Sequence, residues 1–347
     1  MAIAKKAGRP RRRKERKGRK RVYDDDVSVT DSIRRVCAEV ARRARWVRVD
    51  EGRIEAYSRS LPLERAIAPS VDWSRHFRGR NEAETAAFFV TLDAINFGSG
   101  YFPHLAKREG MSGYFTVAMS LKEEFERGGV MPAERLARMR PEECRRIFGQ
   151  DPGNAPAMEL MSLFAQALSD LGQLLIAKYG GQFENLIGAA SGSAEMLIDL
   201  LAEMPFFRDG SNYDRIEVPF YKRAQLTAAD LSLALEGRGL GAFDDLDRLT
   251  IFADNLVPHV LRMDGVLRYD EDLAARIDRE DLLIPGSLEE VEIRACAVHA
   301  VEMMRKALAR DGTGVTSMGL DFVLWNRGQE RYYKTVKPRH RARSVYY

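Results

Sequence analysis

One carboxylate interrupts the apolar run LTIFADNLVPHVLR, residues 249–262: Asp254. Ile251, Phe252, Leu256 and Val257 surround it, and apolar neighbours both desolvate an acid and strengthen its effect on a nearby cation. Such a group serves one of two ends. It caps a turn by accepting backbone N–H groups, or it stabilises positive charge that develops on a reacting atom. Basic company stands at Tyr221-Lys222-Arg223, and a further polar stretch at Asn96-Phe97-Gly98-Ser99-Gly100. There the glycines allow the backbone to approach a ligand closely, and the competing reading is a glycine C-cap followed by a plain loop. His104, just beyond, is a lone histidine that suits a structural role as well as a chemical one. Glu292 and His299, seven residues apart, share a helix face that reads as solvated and salt-bridging.

Several chemistries have no support. The chain contains no Walker A loop, HExxH, EF-hand, GxSxG elbow or kinase signature. Gly237-Arg-Gly-Leu-Gly241 alternates glycines, but no strand precedes it and no full GxGxxG is present, so a tight helix–hairpin–helix connection suits it better than a dinucleotide loop. Five histidines and the cysteines Cys37, Cys144 and Cys296 are scattered without ligand spacing. No metal site and no disulfide framework are expected.

The elements that must position these residues read as helices. Ser32 to about Arg45 forms the first, and Asn81 with Glu84 caps one whose apolar face carries Phe88, Phe89, Leu92 and Ile95. Short helices near 133–139 and 142–148 precede a long one, 156–179, that Gly180-Gly181 stops. Helices near 183–187 and 194–204 follow, and Thr227-x-x-Asp230 can start another. Asp244 and Asp247 predict a helix that ends near Asp254, with Pro258 opening the next, so Asp254 is expected on a helix–turn–helix corner. Ser287 with Glu290 opens a helix to about Ala309, and residues 320–325 read as a short extended segment before the tail HRARSVYY. The fold class is mainly α with that short extended C-terminal segment.

Length allows one domain or two tightly packed lobes across residues 22–347. Residues 1–21 hold twelve Lys or Arg against one Glu, so the net charge of +4 conceals a strongly basic tail and a remainder of −7. Without apolar periodicity the tail is expected to be disordered and to contact nucleic acid non-specifically. No run has the 18 apolar residues of a membrane span and no apolar signal core is present, so a cytoplasmic protein is expected.

Six blocks then fall in order: LDAINFGSGYF (92–102), FYKRAQLTAADL (220–231), DRLTIFADNLVPHVL (247–261), EVEIRACAVHAVE (290–302), LDFVLW (320–325) and HRARSVYY (340–347). Together they resemble the queuosine salvage family, the queuosine 5′-phosphate N-glycosylase/hydrolases, from about residue 30 to the last. The resemblance implies a helical fold similar to helix–hairpin–helix DNA glycosylases, a free nucleotide as substrate, queuine as product, and no metal or organic cofactor. It makes Asp254 the catalytic carboxylate and Lys222, beside Tyr221, its basic companion. It assigns Asn96, Phe97, Glu292, Arg294 and Tyr347 to the substrate site. Gly98-Ser99 and Asn255-Leu256 depart from the bulkier pair and the Tyr-Arg pair expected in eukaryotic members, a departure that bears on affinity.

Queuine is a 7-deazapurine and lacks the N7 that purine glycosylases protonate, so catalysis shifts to the sugar. An ionised Asp254 would stabilise an oxocarbenium-like ribose or activate water. Glu292 or Asp321 would meet the cationic amine or diol of the queuine side chain, and Phe97 or Phe243 would stack on the base. Lys222, or Arg341 and Arg343 in the tail, would hold the phosphate. The alternative class is a nucleic-acid-binding helical protein or a base-excision glycosylase that uses the basic tail.

Overall fold

The computed structural model describes residues 27–67 and 70–347. The basic tail, 1–21, lies outside them. Helix α1 (Val29–Arg43) starts where the Ser28 side chain accepts from Asp31 N, and it buries Ile33, Val36, Cys37 and Val40. Strand β1 (Val47–Val49), α2 (Glu51–Arg59) and the one-turn α3 (Glu64–Ile67) follow. Asn81 Oδ1 accepts from Glu84 N at 2.9 Å and opens α4 (Glu82–Ala94), which is buried along most of its length. Ser112 caps α5 (Gly113–Gly128) by accepting from Phe115 N.

Short α6 (Ala133–Leu136) and α7 (Pro141–Ile147) pack on α8 (Ala155–Tyr179), where Gly180 takes the left-handed conformation that ends the helix. By length and composition α8 alone, among the described residues, is long and apolar enough to cross a membrane. Half of its most apolar window is buried inside the fold, as in a core helix. Next come α9 (Phe183–Gly188), α10 (Ala194–Leu201) and a hairpin of β2 (Gly210–Tyr213) and β3 (Ile216–Pro219), in which Gly210 pairs with Pro219. Asp214 and Arg215 turn it with positive φ.

Helix α11 (Lys222–Ala234) begins five residues before the expected Thr227 start, because Tyr221 turns left-handed at φ 48° and releases the chain into helix at Lys222. Thr227 is an interior residue whose hydroxyl donates to Arg223 O at 2.9 Å. The helix expected over 244–254 does not form. Only one 3-10 turn, Leu246–Arg248, is present, and residues 249–253 are free of helix before α12 (Leu256–Met263). Their backbone is bonded by side chains from other elements, which override the helical spacing. Asp254 therefore stands where a non-helical strand of chain enters a helix, with Pro258 in the first turn.

Strand β4 (Leu267–Tyr269) pairs antiparallel with β1, and α13 (Glu271–Asp278) and β5 (Leu282–Leu283) lead to α14 (Leu288–Arg310). Ser287 caps α14, which at 23 residues runs about 35 Å and packs against α1, α2, α12, α15 and β1. It is the central strut, so Glu292 is fully buried rather than on a solvated face. Residues 320–325 are not extended: they belong to α15 (Ser317–Arg327), which Thr316 caps at Gly319 N. Helix α16 (Arg331–Thr335) and β6 (Arg341–Ala342), parallel to β5, end the chain. Buried apolar residues from Val29 to Tyr333 form one connected core.

Candidate active site

Residues 249–254 are held by side chains from three helices. Gln225 of α11 accepts from Thr250 N at 2.9 Å and donates to Thr250 Oγ1 at 3.0 Å. Asp321 of α15 accepts from Phe252 N at 2.9 Å, and Arg294 of α14 donates through Nε to Ala253 O at 2.9 Å. Asp254 Oδ1 then accepts from Leu256 N at 2.7 Å and Val257 N at 3.2 Å. The carboxylate thus caps α12 with one oxygen and, being half-buried, keeps access to solvent. Capping and chemistry are compatible in one side chain here.

Lys222 opens α11 across from it. Burial pulls its ammonium below the ordinary value; Asp254 is the strongest charge resisting that, joined by Asp93 and Asp321. The backbone N of Lys222 donates to Asp209 Oδ2 at 3.1 Å. Asp209 also receives both guanidinium ends of Arg294, at 3.0 and 2.6 Å. One buried ion pair therefore grips the start of α11 and the residue before Asp254 together.

The lysine is outnumbered. Burial pushes Asp93 up to about 7, with Asn96, Lys222, Thr227 and Arg223 opposing. Asp230 is driven well above the ordinary carboxylate range by burial and then by the charge of Asp93. Asp321 is raised likewise by burial and then by Asp254. Burial and mutual repulsion favour the protonated form of these acids, and a cation arriving beside them favours ionisation. Tyr114, packed edge-on to Trp325 at 6.3 Å, feels the charges of Asp230 and Asp93. Its hydroxyl meets His76 Nε2 at 2.9 Å; because His76 Nδ1 faces Asp72 O at 2.9 Å and donates there, Nε2 is left to accept from the tyrosine.

The residues singled out from the sequence are distributed unevenly around this cluster. Asp254, Lys222 and Asp321 are in it, and Asn96 reaches it through a 3.4 Å bond from Nδ2 to Asp93 Oδ1. Arg294 and Tyr221 border it from inside the fold: Arg294 is fully buried with Asp209, and Tyr221 is the buried left-handed residue before Lys222. Tyr347 lies under Arg294, 4.9 Å from its guanidinium, while its backbone oxygen accepts from Gly98 N and Ser99 N. Phe97 is enclosed by Phe164, Phe206 and the Arg223 guanidinium, which leaves no open ring face for stacking. Glu292 accepts from the backbone N of Arg45, Trp46 and Val47 and from Tyr213 OH, and so holds the entry to β1. Phe243 sits on the edge of the core beside the start of α10, and His104 is exposed at the end of a 3-10 turn.

Asp93 and Asp209 have no part in the sequence reading, and Asp230 enters it only as the capping partner of Thr227. Asp93 and Asp230 stand inside two of the quoted blocks, 92–102 and 220–231, where helical spacing places them as capping or interior residues. Asp209 carries no sequence signal at all. Among the described residues no group of three His, Cys, Asp or Glu has metal-holding geometry.

The profile described as queuosine salvage protein matches residues 75–347. The chain belongs to the queuosine salvage protein family. A member from Sphaerobacter thermophilus, named queuosine 5′-phosphate N-glycosylase/hydrolase, is 35% identical over 328 residues, which covers 93% of this chain and 98% of the relative. Members of the same name from Mus musculus and Dictyostelium discoideum are 31% and 32% identical, with 89% and 76% of this chain matched to 96% and 78% of theirs. The family match spans every residue of the acidic cluster.

Proposed function

We propose that this protein hydrolyses the N-glycosidic bond of queuosine 5′-phosphate and releases queuine. What carries the proposal is the charge that half-buried Asp254 exerts on buried Lys222, in a chain aligned to 98% of a relative that bears this activity in its name. As the C1′–N bond breaks, its electron pair leaves with the base and positive charge develops on the ribose. The oxygen of Asp254 not held by α12 faces that charge, and the capping bonds fix its aim without reorganisation. Water then adds to C1′ and its proton passes to Asp254, or the carboxylate first bonds C1′ and water displaces it; the leaving nitrogen gains a proton in either case. Lys222 supplies a buried positive charge on the side of the site that Asp254 faces.

The acidic cluster supplies the other half of recognition. The secondary amine on the queuine side chain is a cation at neutral pH, and Asp93, Asp230 and Asp321 give it counter-charges. A likeness to helix–hairpin–helix DNA glycosylases is part of the same proposal, supported by the mainly helical chain and the glycine-rich link Gly237–Gly241 ahead of Asp254. The test is Asp254→Asn assayed for queuine release from queuosine 5′-phosphate by chromatography. Loss of roughly 100-fold or more in turnover is expected, the scale of removing one preorganised electrostatic group. Near-normal turnover with intact helicity would remove Asp254 from the chemistry.

A further inference from the structure

Three stretches supply the groups used in the hydrolysis proposed above: the end of α4 with Asp93 and Asn96, the start of α11 with Lys222, and the turn before α12 with Asp254. They are distant in sequence, and a reaction between them needs a fixed register. Asp209 and Arg294 tie the second to the third. One further segment, residues 340–347, is bonded to all three.

The segment runs inside the fold, with His340, Ala342, Ser344 and Tyr347 buried. Its charged side chains anchor it. Arg341 pairs with Glu280 at 3.4 Å as β6 joins β5, and Arg343 pairs with Glu159 of α8 at 3.2 Å and lies 5.1 Å from the Tyr101 ring. The two arginines that the tail sequence suggests as phosphate clamps are engaged in this docking. Each remaining bond falls next to a functional residue. His340 O accepts from Asn255 Nδ2 at 3.1 Å, one residue after Asp254. Val345 O accepts from Arg223 Nη2 at 2.8 Å, one residue after Lys222, and Nη1 of the same guanidinium donates to Asp93 O at 3.0 Å and Ala94 O at 2.6 Å. Tyr347 O accepts from Gly98 N at 3.0 Å and Ser99 N at 3.4 Å, in the loop that follows Asn96. The Tyr347 ring lies 4.9 Å from the Arg294 guanidinium, whose Nε donates to Ala253 O at 2.9 Å, one residue before Asp254. Gly100 fixes the path, since a Cβ there would stand 2.3 Å from Ala342 O.

We propose that residues 340–347 are a positioning element of the active site, which holds the stretches carrying Asp254, Lys222 and Asn96 in one register by bonding beside each of them. The element acts through its neighbours and without contact to the nucleotide. Three of its bonds are made by backbone carbonyls, so its course through the fold matters more than its side chains. Freed from it, the loop after α4, the start of α11 and the turn before α12 would each fluctuate separately, and a displacement of about 1 Å at a reacting group costs on the order of 100-fold in rate. The effect on turnover rests on the hydrolysis proposed above; the effect on backbone order rests on the bonds alone.

The experiment displaces the segment from three sides in the full chain. Gly100→Ala pushes Ala342 away from the loop after α4, Tyr347→Ala removes the ring beside Arg294, and Asn255→Ala deletes the bond to His340 O. The last removes a single bond and keeps the test open if either of the others does not fold. Each variant is compared with the parent by amide hydrogen exchange and by release of queuine from queuosine 5′-phosphate, at a temperature where circular dichroism shows every protein folded. Exchange should quicken together in 93–99, 222–226 and 253–257, and kcat should fall about 100-fold in Gly100→Ala and Tyr347→Ala while KM moves far less. Tyr347→Ala added to Asp254→Asn should cost almost nothing more, because the group it aligns is already gone. A merely structural segment would lower the unfolding temperature and leave kcat per folded molecule at the parent's value; that result overturns the proposal, as does exchange unchanged in the three stretches. Exchange that quickens in all three, in a protein whose unsubstituted form releases no queuine, would uphold the coupling and overturn the hydrolysis.

Discussion

Asp93 is fully buried, and its second carboxylate oxygen has no hydrogen-bond partner, although the residue stands three positions before Asn96 at the end of α4. Burial holds its folded-state value at about 7 against an ordinary value of 3.8. Between those values the unfolded chain has released the proton and the folded chain keeps it, so stability falls as pH rises from about 4 to about 7 and is level above. Asp93→Asn removes that slope. Thermal unfolding from pH 4.5 to 8 should show the variant gaining on the parent through this window. A difference between the two that stays constant with pH would mean that Asp93 is not a proton carrier in the unliganded protein. Binding has the opposite sign, because a cationic ligand favours the ionised acids: affinity for queuine should rise over the same interval.

At the scale of elements, the site depends on how α11, α12, α14 and α15 are tied at one point. Asp209 leaves the turn before β2, accepts from Lys222 N and pairs with Arg294, and Arg294 in turn donates to Ala253 O. Both partners are almost wholly inaccessible. Removing one member of a buried pair leaves the other uncompensated, at about 3–5 kcal/mol. Asp209→Ala is therefore expected to lower stability by that order in urea titrations. Asp209→Asn, which keeps an acceptor for Lys222 N, should destabilise less and lower kcat more than it raises KM, because it loosens the register of the two key residues rather than a contact to substrate. Equal effects on kcat and KM with unchanged stability would instead make Asp209 a ligand. The close approach of Gly100 to Ala342 is a second tie, since a Cβ there would stand 2.3 Å from the Ala342 oxygen. Only glycine lets the C-terminal segment lie against the loop after α4.

The whole molecule divides its charge. The tail carries the excess of cations, and the remainder is net acidic. If the substrate is a free nucleotide, the recognition groups all lie within residues 27–347 and the tail is dispensable for catalysis. Deletion of residues 1–21 should leave kcat/KM on queuosine 5′-phosphate within about twofold while removing salt-sensitive binding to RNA or duplex DNA. Activity that required the tail and a polymeric substrate would favour the nucleic-acid-acting alternative.

Much of this was legible beforehand. Caps such as Asn81 with Glu84 and Ser287 with Glu290, glycine stops such as Gly180, and the isolation of Asp254 in apolar surroundings are local properties, written in neighbouring residues and readable without a fold. Non-local bonds were not. Residues 244–254 have helical spacing, but Gln225, Asp321 and Arg294 bond their backbone out of helix, and residues 320–325 look extended until the Thr316 cap and the packing of α15 make them helical. Phe97 and Glu292 have the right chemistry for a ligand and are turned instead to a buried guanidinium and to the backbone of β1. Residue type and spacing determined which side chains were able to do chemistry. Whether each faces a ligand or the core was decided by long-range packing, because burial and electrostatic neighbours are contributed by segments distant in sequence, from 25 residues for Gln225 and Thr250 to 246 for Glu292 and Trp46.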